Sequence, residues 1–481
     1  KSTQANIKMS DINGNEIKAQ KVEKFLTLEN LSSTIKNLQY AVRGKVVIRA
    51  GELKKELKQG VEKPFERVIR ANIGDCHATG QKPITFIRQV MALCTYPEFL
   101  NSDKFPQDTK DRAQALLNAC GGGSVGAYTD SAGLELVRKH IAEFITNRDG
   151  GIPTDPDNIF LTTGATCGVK IIMKMLLNEP KEKPSGFMIP IPQYPLYSAT
   201  ISEYNAEQIG YYLDEDNNWA LSIDELERSY QDSLKRCQPR AFCIINPGNP
   251  TGQVLSLENM QKIIKWAYER KLFILADEVY QDNVYAEGMK FHSFKKVAFE
   301  LGHPYSQMEI GSFYSTSKGF MGECGARAGF FEVVNMDPKV KVELRKLSSA
   351  QLCSSVLGQV CMDTVVNPPK PGEQSYELFQ QEKGVVLSGL KEKAQLVTEL
   401  LNKIEGVKSI EHAKKNEMEP DMFYCLEMVE QTGICVVPGS GFHQRPGTYH
   451  FRTTILPPTD QIKSLLAKFE KFHLNFLRQW S

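Results

Sequence analysis

Lys318 stands between Ser315-Thr316-Ser317 and Gly319, just after the strand-like run Glu309–Phe313. A lysine sequestered behind a strand end sheds its charge easily, which suits an amine that condenses with a carbonyl group. Ser315, Ser317 and Arg327 are residue types that hold a phosphate dianion through charge-assisted hydrogen bonds. A solvated surface lysine and a helix-end salt bridge at Arg327 are the plain alternatives. The pentapeptide alone does not separate them.

A second motif, Asp277-Glu278-Val279-Tyr280, follows the apolar run Leu272–Ala276. An aspartate there can simply cap a turn. It can also pair with a protonated ring nitrogen, as pyridoxal phosphate requires if its ring is to accept electrons. The turn Asn246-Pro247-Gly248-Asn249-Pro250-Thr251-Gly252 is rigid, and it would fix the Asn249 amide as a donor to a ring oxygen beside Tyr280. Thr162–Gly168 reads as a strand-to-helix turn whose first N–H groups could cradle a phosphate. It lacks the lysine of the nucleotide-binding GxxxxGK[ST] loop. Gly121–Gly126 is glycine-rich but has no strand before it, so a dinucleotide site there is weakly supported. Tyr194, set between prolines in Pro190–Tyr197, could stack on a flat ring or fill the core. Arg452, in Tyr449–Thr454, could clamp a carboxylate bidentately or make a structural ion pair.

These motifs need a scaffold that brings them to one place. Short apolar runs, Ile159–Leu161, Phe242–Ile245, Leu272–Ala276 and Ala328–Phe331, alternate with amphipathic helix-length segments. One such segment, capped by Ser131, places Leu134, Val137, Ile141 and Phe144 on one face; another spans 257–270. Continuous apolar strands between helices predict an α/β fold with a mostly parallel sheet covered on both faces. The polar motifs then fall beyond the strand ends, where such sheets bind ligands. Residues 340–404 read as long helix broken at Pro368-Pro369, and Asp460–Trp480 as a terminal helix. The boundaries expected are a mobile arm at 1–20, part of a smaller α+β domain at 21–95, a large domain at 96–345, and the rest of the small domain at 346–481.

Composition narrows the classes. The 481 residues carry 58 Lys and Arg against 57 Asp and Glu, a formal net charge of +1. That gives no bulk attraction for nucleic acid. Hydrophobic residues at 41% and charged residues at 24% are a globular balance. No apolar run reaches the roughly 20 residues of a membrane span. The 11 cysteines form no close pairs, so free thiols in a reducing compartment are expected and a metal site is not. The sequence begins at Lys1, and no signal peptide is visible in it.

The order of phosphate loop, tyrosine, Asn turn, strand-end Asp, Ser-x-Ser-Lys and arginine resembles a fold-type I pyridoxal-phosphate aminotransferase, most narrowly the alanine aminotransferases. Further matching stretches are Asn72–Asp75 with Gly80–Phe86, Gly126–Gly133, Gly322–Gly325 and Cys435–Phe442. The resemblance implies a seven-stranded sheet in the large domain and pyridoxal 5'-phosphate as cofactor. It implies that Lys318 holds the cofactor and moves the α-proton, that Asp277 pairs with the ring nitrogen, and that Asn249 and Tyr280 contact the ring oxygen. Tyr194 would stack on the ring, and Ala165, Thr166, Ser315, Ser317 and Arg327 would hold the phosphate. Tyr128 would reach the phosphate of a neighbouring subunit, making a homodimer with active sites at the interface. Arg452, Asn249 and the backbone at Gly74 would bind the substrate. The implied reaction moves an amino group from L-alanine to 2-oxoglutarate by ping-pong kinetics, in the cytoplasm or mitochondrial matrix, with small amino and keto acids as partners and neither nucleic acid nor membrane. A glyoxylate or aromatic keto-acid transaminase, or a lyase on the same scaffold, are the alternatives. The resemblance also implies about twenty further residues between Ser409 and Ile410, more than a loop of ordinary length. Omission of a loop is the reading preferred, since losing that strand would damage the small-domain sheet.

Overall fold

The computed structural model describes residues 24–38, 44–179, 183–402, 404 and 418–480. The expected arm at 1–20 and the junction at Ser409 lie outside the described residues.

Eleven strands are described: β1 (Ile69–Arg70), β2 (Ile159–Thr162), β3 (Ser185–Ile191), β4 (Glu207–Tyr212), β5 (Gln238–Ile245), β6 (Phe273–Asp277), β7 (Ile310–Ser315), β8 (Gly329–Val334), β9 (Ile434–Cys435), β10 (Val437–Pro438) and β11 (Phe451–Arg452). Seven of them form one sheet in the order β2-β8-β7-β6-β5-β3-β4. Neighbours from β7 to β4 pair in parallel, while β8 runs antiparallel to both β7 and β2. The expectation of a mostly parallel α/β sheet is met.

Every residue of β2, β6 and β7 is buried. Their apolar residues run without alternation, and the polar ones they carry, Thr162, Asp277, Ser312 and Ser315, are buried too, because both faces are covered. Successive side chains of a strand enter different cores. Ala241, Cys243, Ile245, Phe273 and Leu275 pack in one cluster, and Phe242, Ile244, Ile274 and Ala276 in the other. The helix Leu257–Glu269 supplies Met260, Ile263, Ile264 and Ala267 to the second cluster, and Ser256 Oγ caps it by accepting the Asn259 N–H at 3.2 Å.

Two helix expectations change. The helix expected after Ser131 spans Glu135–Arg148 and has no side-chain cap. Asp130 Oδ1 accepts the Ala132 N–H at 2.8 Å, and Gln359 Oε1 accepts that of Leu134 at 2.8 Å, so a distant amide replaces the local hydroxyl. The stretch 340–404 is divided more finely than the prolines suggest, into Pro338–Ser349, Val356–Val366 and Tyr376–Leu401. The extra break holds Leu352 at φ 62°, and Ser355 Oγ then caps the middle helix. That helix presses Gly358 against the carbonyls of Ala326 and Arg327, where an added Cβ would lie 3.2 Å from each oxygen.

A third apolar cluster joins distant parts of the chain. Val46, Leu53, Phe65 and Ile69 pack with Phe423, Met428, Ile434, Leu466, Phe469 and Phe476. β1 pairs in parallel with β9, and β10 pairs with β11 in the register Val437↔Arg452. β11 brings Arg452 to the loop that follows β5, where Asn249 Oδ1 accepts from it.

Candidate active site

The carboxyl ends of β2, β3, β5, β6 and β7 feed the loops that carry the motifs, as expected for ligand sites in open α/β sheets. Beyond them lies a cleft of about 1030 Å³ whose lining includes Gly74, Tyr194, Asn249, Tyr280, Lys318 and Arg452.

Lys318 follows the end of β7, and Gly319 turns the chain at φ +65°. Asn283 Oδ1 accepts the Gly319 N–H at 3.0 Å and steadies that turn. Lys318 Nζ donates to the Gly74 carbonyl at 3.3 Å and sits 5.5 Å from the centroid of the Tyr280 ring. The amine is held above its ordinary range, chiefly by the Tyr280 oxygen, with the Cys324 and Cys76 thiols adding to it; burial opposes this and loses. Burial acts on Lys318 in the direction expected from the sequence, toward loss of charge, with Tyr280 acting against it.

Asp277 closes β6 and is 5% exposed. Tyr197 OH donates to its Oδ2 at 2.9 Å, and the Val279 N–H to its Oδ1 at 3.5 Å. Burial pushes the carboxyl up to about 6, against the pull of Tyr197, Val279 and Lys318.

Asn249 links Tyr280 to Arg452. Its Nδ2 lies 3.4 Å from Tyr280 OH, and its Oδ1 accepts from Arg452 Nη1 at 3.1 Å. Arg452 Nη2 donates to the Asn72 carbonyl at 2.7 Å, and the guanidinium lies over the Phe442 ring at 4.7 Å. Tyr194 lines the cleft at the start of the helix Pro195–Glu203.

On the far side, the strand-to-helix reading of Thr162–Gly168 is met. The helix begins at Ala165, with Gly164 before it at φ 80°. The first N–H groups of a helix, here those of Ala165 and Thr166, have no acceptor within it. Arg327 sits beside them and donates to the carbonyls of Cys324 at 3.3 Å and Thr163 at 3.4 Å. A Cβ on Gly164 would fall 2.5 Å from Arg327 Nη2. Ser315 Oγ donates to the Ala328 carbonyl at 3.2 Å and accepts the Ser317 N–H at 3.1 Å. Ser317 Oγ is buried without a partner.

Of the residues expected at the site, Gly74, Tyr194, Asn249, Tyr280, Lys318 and Arg452 line the cleft, while Asp277, Ala165, Thr166, Ser315, Ser317 and Arg327 lie outside its lining. Tyr128 is 78% exposed and stands outside the cleft lining. Four contributors were not singled out from the sequence: Tyr197, Asn72, Phe442 and Asn283. Tyr197 lies one helical turn beyond Tyr194, a spacing that could have flagged it. Among the described residues, no group of three or more His, Cys, Asp or Glu is placed to hold a metal, and no helix is long and apolar enough to cross a membrane.

Comparison with known proteins adds an independent line. The family model described as aminotransferase class I and II matches residues 90–469. Alanine aminotransferase 2 of Xenopus tropicalis is 54% identical over 478 residues, covering 95% of this chain and 91% of its own. Alanine aminotransferase 1 of Homo sapiens is 51% identical over 478 residues, covering 95% of this chain and 96% of its own. The crystal structure of an aminotransferase from Escherichia coli, 25% identical, superposes with a TM-score of 0.71 over 93% of this chain and 98% of that one. With the sheet, the strand-end lysine and aspartate and these relatives in agreement, the chain belongs to the aminotransferase class I and II family.

Proposed function

We propose that this protein transfers the amino group of L-alanine to 2-oxoglutarate, giving pyruvate and L-glutamate in two half-reactions at one site. The observation that carries this reading is that Lys318 and Arg452 line one cleft and are linked through Tyr280 and Asn249. An amine that can move a proton faces a guanidinium that can hold a carboxylate.

The family depends on pyridoxal phosphate, and the residues present fit it. Ser317 Oγ is buried and unpartnered, and Arg327 sits at the start of the Ala165–Met175 helix, donor types that suit a phosphate. Asp277 is a buried carboxylate that accepts from Tyr197 and Val279 and keeps further acceptor capacity, which suits a ring nitrogen. Ala165, Thr166, Ser315, Ser317 and Arg327 would hold the phosphate, Asn249 and Tyr280 the ring oxygen, Tyr194 the ring face, and Lys318 the aldehyde carbon. When bound, the cofactor supplies a carbonyl for the substrate amine and a ring that takes up the electrons left at the α-carbon.

The chain's own residues do the rest. Arg452, with Asn249 and the backbone at Gly74, would bind and orient the substrate carboxylate. Lys318 Nζ, a positioned acid–base group, would carry the proton from the substrate α-carbon to the cofactor carbon that receives the amino group. Asp277 keeps a negative charge where a protonated ring nitrogen needs one. A homodimer would be the catalytic unit, with the exposed Tyr128 reaching the site of a second copy. Eleven free cysteines suit the reducing cytoplasm or mitochondrial matrix.

The test is direct. The cofactor-loaded protein with L-alanine and 2-oxoglutarate should form pyruvate and L-glutamate, and L-alanine alone should change the visible absorbance once per site. Lys318→Ala should do neither. Turnover in that variant, or no transfer by the unaltered protein, would sink the reading.

A further inference from the structure

The strand that carries Arg452 is tied to the large sheet by a second contact outside the site. His450 precedes Arg452 by two residues, so along extended chain the two side chains share a face. His450 Nε2 lies 2.9 Å from Glu215 Oε1. Gln444 Oε1 accepts the His450 backbone N–H at 3.1 Å, which identifies that atom as the oxygen, and the same oxygen lies 3.3 Å from His450 Nδ1. Both ring nitrogens therefore face acceptors. The ring also meets Trp219 edge-on, with centroids 5.7 Å apart.

Glu215 and Trp219 belong to one loop, Asp214–Ala220, which follows β4 and is closed by a bridge between its end residues. Asn218 and Trp219 hold φ of 54° and 60°. A left-handed backbone is rare for a residue as bulky as tryptophan and persists only where the surroundings enforce it. Asn217, Asn218 and Trp219 line the cleft. Beside them Arg445 lies over the Tyr212 ring at 5.8 Å, a further contact between the same two segments.

We propose that His450 and Glu215 are positioning residues for Arg452: they latch its strand onto the loop 214–220 and so fix where the substrate carboxylate is held. This rests on the function proposed above. A half-exposed contact between an imidazole and a carboxylate contributes little by itself. The latch is the sum of that pair, the Trp219 contact and Arg445 on Tyr212.

Since Arg452 would bind the carboxylate of both substrates, loosening the latch should raise both KM values together, about three- to tenfold, with kcat within about twofold. Glu215→Gln, His450→Ala and the double variant test it. The double variant should be no worse than His450→Ala alone. In cofactor-free protein, both single variants should change the emission that Trp219→Phe removes, a readout independent of turnover. Unchanged KM values, a rise for one substrate only, a fall in kcat with unchanged KM, or unaltered Trp219 emission would each overturn the latch. Absence of amino transfer by the unaltered protein would overturn the functional reading instead, and the emission result would stand apart from it. If His450→Ala fails to fold, Glu215→Gln, nearly isosteric and at the surface, still decides.

Discussion

The Tyr197 phenol donates a 2.9 Å hydrogen bond to Asp277 Oδ2 from a helix that begins just after Tyr194. Burial and the Asp277 charge push this phenol well above its ordinary range, so it stays protonated and remains a donor. The bond lowers the Asp277 carboxyl against the larger upward push of burial. Tyr197→Phe should let Asp277 keep its proton to higher pH, moving the acid limb of kcat/KM upward. It should also cost about 1–3 kcal/mol of stability, because a buried acceptor loses its partner. A pH profile matching that of the unaltered protein would show that Tyr197 does not tune Asp277.

The same carboxyl makes a prediction about the protein without cofactor. Its ordinary value of 3.8 rises to about 6 on folding. The folded state therefore holds this proton more tightly than the unfolded chain. The stability this gives is complete below pH 3.8 and is lost as pH rises through about 6. Asp277→Asn cannot titrate, yet it keeps an acceptor for Tyr197. Cofactor-free Asp277→Asn should gain stability over the unaltered protein between about pH 4 and 6 and keep that gain at pH 8, at most about 3 kcal/mol. Turnover of the loaded variant should fall about a hundredfold or more, since the charge opposite the ring nitrogen is gone. Denaturant unfolding at pH 4 and pH 8 checks the first part; equal gains at both would refute it.

Gly74 shows why a backbone position can matter as much as a side chain. A Cβ there would fall 2.9 Å from Lys318 Nζ, the atom its carbonyl accepts from. The amine is the far end of a flexible chain, so the fold would tolerate Gly74→Ala while the amine is displaced. A displacement near 1 Å can cost about a hundredfold in rate. Gly74→Ala should therefore fold normally and bind cofactor, with kcat about ten- to a hundredfold lower. A normal kcat would mean that Lys318 does not use this position.

Lys318, Asp277 and Asn249 were legible because each sits in a local signature, a turn or strand end whose composition is unusual by itself. The sheet was legible for a similar reason, as doubly buried strands such as Phe273–Asp277 are apolar without alternation up to the residue that ends them. What could not be read depends on contacts between distant segments. Arg452 is held by the Asn72 carbonyl, and Lys318 by the Gly74 carbonyl, and a carbonyl leaves no trace in residue type. The Glu135–Arg148 helix starts without the Ser131 cap because Gln359 bonds the Leu134 N–H from more than two hundred positions away.

Arg452 offers the sharpest test of how substrate is held. Its two terminal nitrogens are pinned by Asn249 Oδ1 at 3.1 Å and the Asn72 carbonyl at 2.7 Å, with the plane laid over Phe442. A guanidinium can meet these acceptors and still present a flat donor edge to a carboxylate; an ammonium is a point charge and cannot do both. Arg452→Lys keeps the charge and loses the fork. A charge-assisted hydrogen bond is worth about 1.5–3 kcal/mol, so KM for L-alanine and for 2-oxoglutarate should each rise roughly ten- to a hundredfold. Arg452→Ala should be worse, since Asn249 and the Asn72 carbonyl then lose their partner as well. Because both substrates carry an α-carboxylate, the two KM values should move together. L-alanine amide, which lacks that charge, should be discriminated against by the unaltered protein and much less by either variant. Retention of full discrimination in Arg452→Lys would place the carboxylate on another group.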